Sequence, residues 1–145
     1  MQGFAINRYN GMKKRFALDI KALKDIFEFI DAFDTKNHLN TATRYAIDLA
    51  IEELFTNMIK YNQKKSGEVE ISLSLKEQNL IISLTDFNVQ PFDITKVKEY
   101  DSRQTVEERP IGKVGIHLIR KMMDKVDYRY QDNNNIITLI KHLEK

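Results

Sequence analysis

The sequence contains no cysteine, which removes disulfides, thiolate zinc sites and thiol nucleophiles together. A reducing compartment follows as the expectation, and the cytoplasm is the expected location. No stretch approaches the ~18 consecutive apolar residues that suggest a membrane span, and Met1 to Lys14 hold no long apolar run, so no membrane partner is expected. Net charge is nearly absent: 23 basic residues against 21 acidic ones leave a formal +2. Such a field would not hold nucleic acid nonspecifically through its phosphates, so no direct nucleic-acid partner is expected and partners must be recognised locally. Proline is scarce, and its two occurrences, Pro91 and Pro110, bracket one charged region. No repeat or low-complexity linker interrupts the 145 residues, a length that fits a single domain with a substantial core.

Periodicity supplies the elements. Arg15 to Leu18 can start a strand, and Leu23, Ile26, Phe27, Ile30 and Phe33 recur at helical spacing, which predicts an amphipathic first helix. Thr35 to Asn40 reads as its exit loop. A second helix is predicted from about Thr41 to Tyr61, with Ile47, Ile51, Leu54 and Met58 on one apolar strip. Glu68 to Leu75 and Leu80 to Asp86 alternate strictly around a Lys76–Asn79 turn, the pattern of an antiparallel hairpin. Period two places Asp86 on the face of Leu80, Ile82 and Leu84. From Asp93 to Arg109 the chain is charged and aperiodic, a mobile surface loop by this reading. A third helix begins near Gly115, with Ile116, Ile119 and Met123 on its apolar side and Leu118 and Met122 widening it. Strands at Val126–Tyr130 and Ile136–Ile140 close the chain around a turn at Gln131–Asn135. The order predicts an α+β fold: a two-layer α/β sandwich, its mostly antiparallel sheet covered by helices on one face.

Three places could carry chemistry. Ala46, Ala50, Glu53 and Asn57 run beside the apolar strip of the second helix at the same spacing, so an adjoining strip can line a cavity, open at the alanines and chelating at Glu53 and Asn57. An amide oxygen suits a magnesium ion already held by phosphates, and a carboxylate can deprotonate an attacking group. For that helix alone, a half-exposed boundary strip with a satisfied polar pair explains the same residues. A buried carboxylate at Asp86 can accept a hydrogen bond from an exocyclic amine, or it can cap the following loop. Gly112 and Gly115, flanking Lys113 and Val114, precede the third helix; glycines there allow close approach of an anion to the helix N-terminus, although a plain helix-entry turn has the same composition. His38, His117 and His142 read as ordinary surface or boundary residues.

In order, these elements resemble the nucleotide site of the gyrase, heat-shock-chaperone, histidine-kinase and mismatch-repair (GHKL) ATPase superfamily, with its Bergerat, histidine-kinase-like fold. Glu53–Asn57 (ELFTN), Pro91–Asp93 (PFD) and Gly112–Val126 (GKVGIHLIRKMMDKV) narrow the resemblance to bacterial anti-sigma-factor serine kinases, over about Lys14 to the C-terminus. Residues 1–13 form an extension outside it. The resemblance implies Glu53 as catalytic general base, Asn57 as magnesium ligand, Asp86 as adenine contact, and Asn88 and Gly112, Lys113, Val114 and Gly115 as further nucleotide-binding positions, with Asp93 to Arg109 as a lid. It implies ATP and Mg2+ as cofactors, a sigma factor or analogous regulator as captive, an anti-sigma-factor antagonist as the protein phosphorylated on serine, and a homodimer.

This chain departs from the family pattern at three points. Asn88 stands two residues after Asp86, where the family has glycine; Lys113 stands where a second glycine is common; and Asn134-Asn-Ile-Ile137 replaces a Gly-Thr opening of the last strand. These departures motivate an alternative: a catalytically weak or inactive nucleotide-binding and regulator-binding module of the same fold.

Overall fold

The computed structural model describes residues 11–62, 66–96 and 113–143. The elements run β1 (Met12–Ala17), a 3-10 turn at Ile20–Ala22, α1 (Leu23–Asn37), α2 (Thr41–Tyr61), β2 (Glu68–Lys76), β3 (Asn79–Asp86), a 3-10 turn at Ile94–Lys96, α3 (Lys113–Met122), β4 (Lys125–Gln131) and β5 (Asn134–His142). The five strands form one sheet in the order β1-β2-β3-β5-β4, and neighbouring strands are antiparallel.

Alternation decides the layers. Val69, Ile71 and Leu73 of β2, Leu80, Ile82 and Leu84 of β3, and Ile137 and Leu139 of β5 are buried on one face, while the residues between them are partly exposed. That face joins one core with Ile26, Ile30 and Phe33 of α1, Ile47, Ile51, Leu54, Phe55 and Met58 of α2, and Ile116 and Ile119 of α3. Each such large side chain contributes about 1.5–3 kcal/mol by leaving water, so the two-layer α+β architecture expected from the sequence is the arrangement in which both periodicities bury their apolar sides.

Local chemistry sets the element ends. Asn40 caps α2, its side-chain oxygen accepting from the Thr43 amide at 2.8 Å. α1 runs past the expected exit at Thr35 to Asn37, because His38 takes up the left-handed conformation that stops the helix and returns its amide to Asp34. Arg44 then fastens α2 to α1, its guanidinium reaching Asp31 at 2.7 Å, Asp34 at 3.1 Å and Asp48 at 2.9 Å. Both hairpins of the sheet turn on two residues of positive φ, Glu77–Gln78 and Asp132–Asn133, the backbone that matches strand twist.

Several expectations need correcting. β1 begins at Met12, before the Arg15 expected, since pairing with β2 continues through residues Lys13 and Lys14, whose polar side chains show no alternation. The closing turn is shorter than Gln131–Asn135: with two residues sufficing, Asn134 and Asn135 belong to β5. α3 begins at Lys113 and ends before Met123, and Leu118 is 40% exposed rather than part of the buried stripe. Asp93 does not open a surface loop; Ile94 and Thr95 are buried in the 3-10 turn, where Asp93 Oδ1 accepts from the Thr95 amide at 2.9 Å. Residues 97–109, the remainder of the expected lid, lie outside the described residues.

Candidate functional site

The Asn40 cap fixes the phase of α2, and that phase puts Glu53 and Asn57 on one side, one turn apart. Asn57 is only 4% exposed, and its Nδ2 donates to Glu53 Oε2 at 3.2 Å. Glu53 is half-buried, and burial pushes its pKa above the ordinary carboxylate value. The Asn57 hydrogen bond opposes that shift, the neighbouring charge of Glu52 adds to it, and Lys60 opposes it. Ala46 and Ala50, expected to border an open space, are packed in the core.

What covers Glu53 is α3. A Cβ placed on Gly115 would overlap the Glu53 side chain at Cδ, Oε1 and Cγ, so α3 meets the carboxylate through the one residue type that leaves room for it. Lys113, Val114 and Gly115 form the first turn of α3. Gly112 lies outside the described residues, as do the side chains of Lys113 and Val114.

A cavity of about 250 Å³ opens at the C-terminal end of α2, from Met58 onward. α2 contributes Met58, Tyr61 and Asn62, β3 contributes Asp86, β5 contributes Asn135 and Ile137, and the connecting segment adds Val89 to Phe92 and Ile94. Glu53 and Asn57 are not among the lining residues; they precede Met58, Tyr61 and Asn62 on the same helix. Asp86 is 9% exposed, on the same face as Leu80, Ile82 and Leu84, as period two requires. At the rim, the rings of Tyr61 and Phe92 meet with centroids 5.1 Å apart, tilted by 45°.

Sequence reasoning missed Asn135. It pairs with Asp86 across β3 and β5, is 6% exposed, and holds the cavity wall with both ends of its amide. Its Oδ1 accepts from Tyr128 Oη at 2.6 Å and from the Phe92 amide at 3.2 Å, and its Nδ2 donates to the Gln90 carbonyl at 3.1 Å. Ile137 and Leu139 face the core, so period two puts Asn135 there as well once the strand is known to begin at Asn134. Asn88, by contrast, is exposed and does not line the cavity. It adopts the left-handed backbone (φ 54°) that asparagine tolerates better than most residues, with its amide donating to Asn134 Oδ1 at 3.0 Å. Tyr130 Oη, 2.7 Å from the Val89 carbonyl, and the Val89 amide, 2.9 Å from the Asn133 carbonyl, complete the attachment of this segment to the β4–β5 hairpin.

The fold is that of an α+β domain, an antiparallel five-stranded sheet backed by helices. Residues 16–141 match the family of histidine kinase-like ATPase domains, and the chain belongs to that family. It is 31% identical over 91 residues to a serine-protein kinase RsbW of Oceanobacillus iheyensis, covering 59% of this chain and 57% of that protein. A second serine-protein kinase RsbW, from Halalkalibacterium halodurans, is 27% identical over 103 residues, or 68% of this chain and 62% of that protein. The chain thus spans about three fifths of the length of the curated relatives it matches. Among solved structures, that of the RsbU and RsbW domains of a Mycobacterium tuberculosis protein superposes with a TM-score of 0.64, over 92% of this chain and 32% of that one, at 13% identity. That likeness concerns the fold.

Proposed function

We propose that this protein is an ATP-dependent serine protein kinase of the anti-sigma-factor type. In this reading it phosphorylates a small antagonist protein and alternately holds a sigma factor or analogous regulator, as a cytoplasmic homodimer. The single observation that carries the reading is a cavity lined by the buried Asp86 at the C-terminal end of the helix that bears the Glu53–Asn57 pair. Serine-protein kinases among the relatives support it.

The residues present fit the implied ligands. The apolar side chains of Met58, Ile94 and Ile137 suit the faces of a purine, and Asp86 would accept a hydrogen bond from its exocyclic amine. Asn57 would offer its amide oxygen to a magnesium ion, whose charge, when bound, offsets that of the phosphates. Glu53 would take the proton of the partner's serine hydroxyl as that oxygen bonds to the γ-phosphorus and the bond to the β-phosphate oxygen breaks, releasing ADP. Its raised pKa makes it a better proton acceptor than an exposed carboxylate.

The test begins with thermal-shift titrations using ATP, ADP and GTP, with and without magnesium, since a ligand held only by the folded state raises Tm. Adenine preference and magnesium dependence are the expected results, and Glu53→Ala should keep binding while losing phosphoryl transfer. No nucleotide-dependent shift at all would sink the reading. One observation favours the alternative of a regulator-binding module without turnover: α3 packs directly over Glu53. That alternative is excluded by serine phosphorylation of a partner that disappears in Glu53→Ala.

A further inference from the structure

Gly115 lies inside α3, in its first turn, where glycine disfavours the helix relative to alanine. Something must compensate for that weakness. The backbone does not demand glycine, since Gly115 has a negative, helical φ. What occupies the space a methyl group would need is the Glu53 side chain: Cδ, Oε1 and Cγ all fall within overlap distance, and nothing else lies as close. From its other side, Glu53 is held by Asn57 Nδ2 at 3.2 Å. The carboxylate is therefore pinned between the bare backbone of one helix and an amide of its own.

We propose that Gly115 is a positioning residue for Glu53: its missing side chain forms the slot that sets the carboxylate against α3 and Asn57. The catalytic consequence rests on the proposed function, but the steric relationship does not. It also differs from a requirement for glycine created by close approach of a phosphate, because that requirement would persist if Glu53 were removed.

Melting curves of the full chain in a set of backgrounds separate these cases. In the wild-type background, Gly115→Ala should lower Tm, because the methyl group must push the carboxylate off its hydrogen bond with Asn57. In Glu53→Ala, the same substitution should raise Tm by roughly 2–4 °C, the gain expected from helix propensity once the clash is gone. Glu53→Gln, of the same shape without charge, should preserve the penalty; Glu53→Asp, shorter by one methylene, should relieve part of it and serves if Glu53→Ala folds poorly. A Gly115→Ala shift of equal size in the wild-type background and in whichever of Glu53→Ala and Glu53→Asp folds would overturn the proposal.

Turnover supplies the second readout. Gly115→Ala should reduce phosphoryl transfer at saturating ATP at least tenfold while changing nucleotide affinity by less than about threefold, and the further loss it causes in the Glu53→Asp background should be smaller than in wild type. An affinity loss exceeding the turnover loss would return Gly115 to phosphate contact alone and overturn its positioning role. If wild type neither binds nor turns over ATP, the proposed function fails, and the difference in Tm shift between backgrounds still decides the steric relationship.

Discussion

Asp86 and Asn135 stand directly opposite each other on β3 and β5, both buried and both lining the cavity. The amide of Asn135 is committed to the wall. Removing the amide therefore costs structure first. Asn135→Ala leaves the Phe92 amide, the Gln90 carbonyl and the Tyr128 hydroxyl without this partner, and each such loss costs about 1–3 kcal/mol where water cannot replace it. Urea unfolding should show a lower midpoint, and hydrogen exchange at Phe92 should accelerate. An unchanged midpoint would remove Asn135 from the wall's support.

Asp86 carries the complementary prediction. Asp86→Asn keeps the shape and loses the charge, and the new amide can present a donor to an exocyclic amine. ATP affinity should fall at least tenfold, with the preference for adenine over guanine narrowing. Calorimetry with ATP and GTP on both proteins measures this, and an undiminished adenine preference would place base recognition elsewhere.

Glu53 titrates with a consequence of definite sign. Burial raises its folded pKa, so the folded state binds this proton more tightly than the unfolded chain. Its effect on stability is most favourable below the unfolded value of about 4.3, and that advantage is lost as pH rises through the folded value. Glu53→Gln should melt above wild type at pH 7.5, with the difference shrinking as pH falls toward 4. A difference that grows on acidification contradicts the direction of the shift.

Arg44 joins α1 to α2 through three aspartates. Burial lowers its pKa, but its bonds to Asp48, Asp31 and Asp34 more than reverse this and leave it raised above the ordinary value. Arg44→Met should cost about 1–2 kcal/mol, more than a lone surface pair, because it leaves three carboxylates unneutralised. High salt should recover part of the loss by screening their repulsion. Arg44→Lys, with a point charge in place of the planar fork, should recover little. Denaturant titration at low and high salt tests both statements.

The sheet and helices were legible because their signals are local. Strict alternation in β2 and β3 and the four-three-four strip of α2 fix which side is buried, and the structure places Ile47, Ile51, Leu54, Met58 and Asp86 there. Glu53 and Asn57 were legible as a pair for the same reason. What escaped the sequence depends on pairing across distance. Asn135 looks like turn material until the two-residue turn at Asp132–Asn133 sets the register and places it opposite Asp86. The packing of Gly115 against Glu53 links residues far apart in the chain, and no periodicity within either helix encodes it. Leu118 failed in the opposite way, an apolar residue whose neighbours Ile116 and Ile119 already fill the buried side of a short helix.

The guanidinium of Arg120 donates to the carbonyl of Thr95, so α3 is moored at one end of its body to the turn that carries Ile94 into the cavity wall, and near its start it rests on Glu53. α3 thus touches both the acid and the pocket wall. Were two occupants to favour the same placement of this helix, each would by reciprocity be held more tightly in the presence of the other.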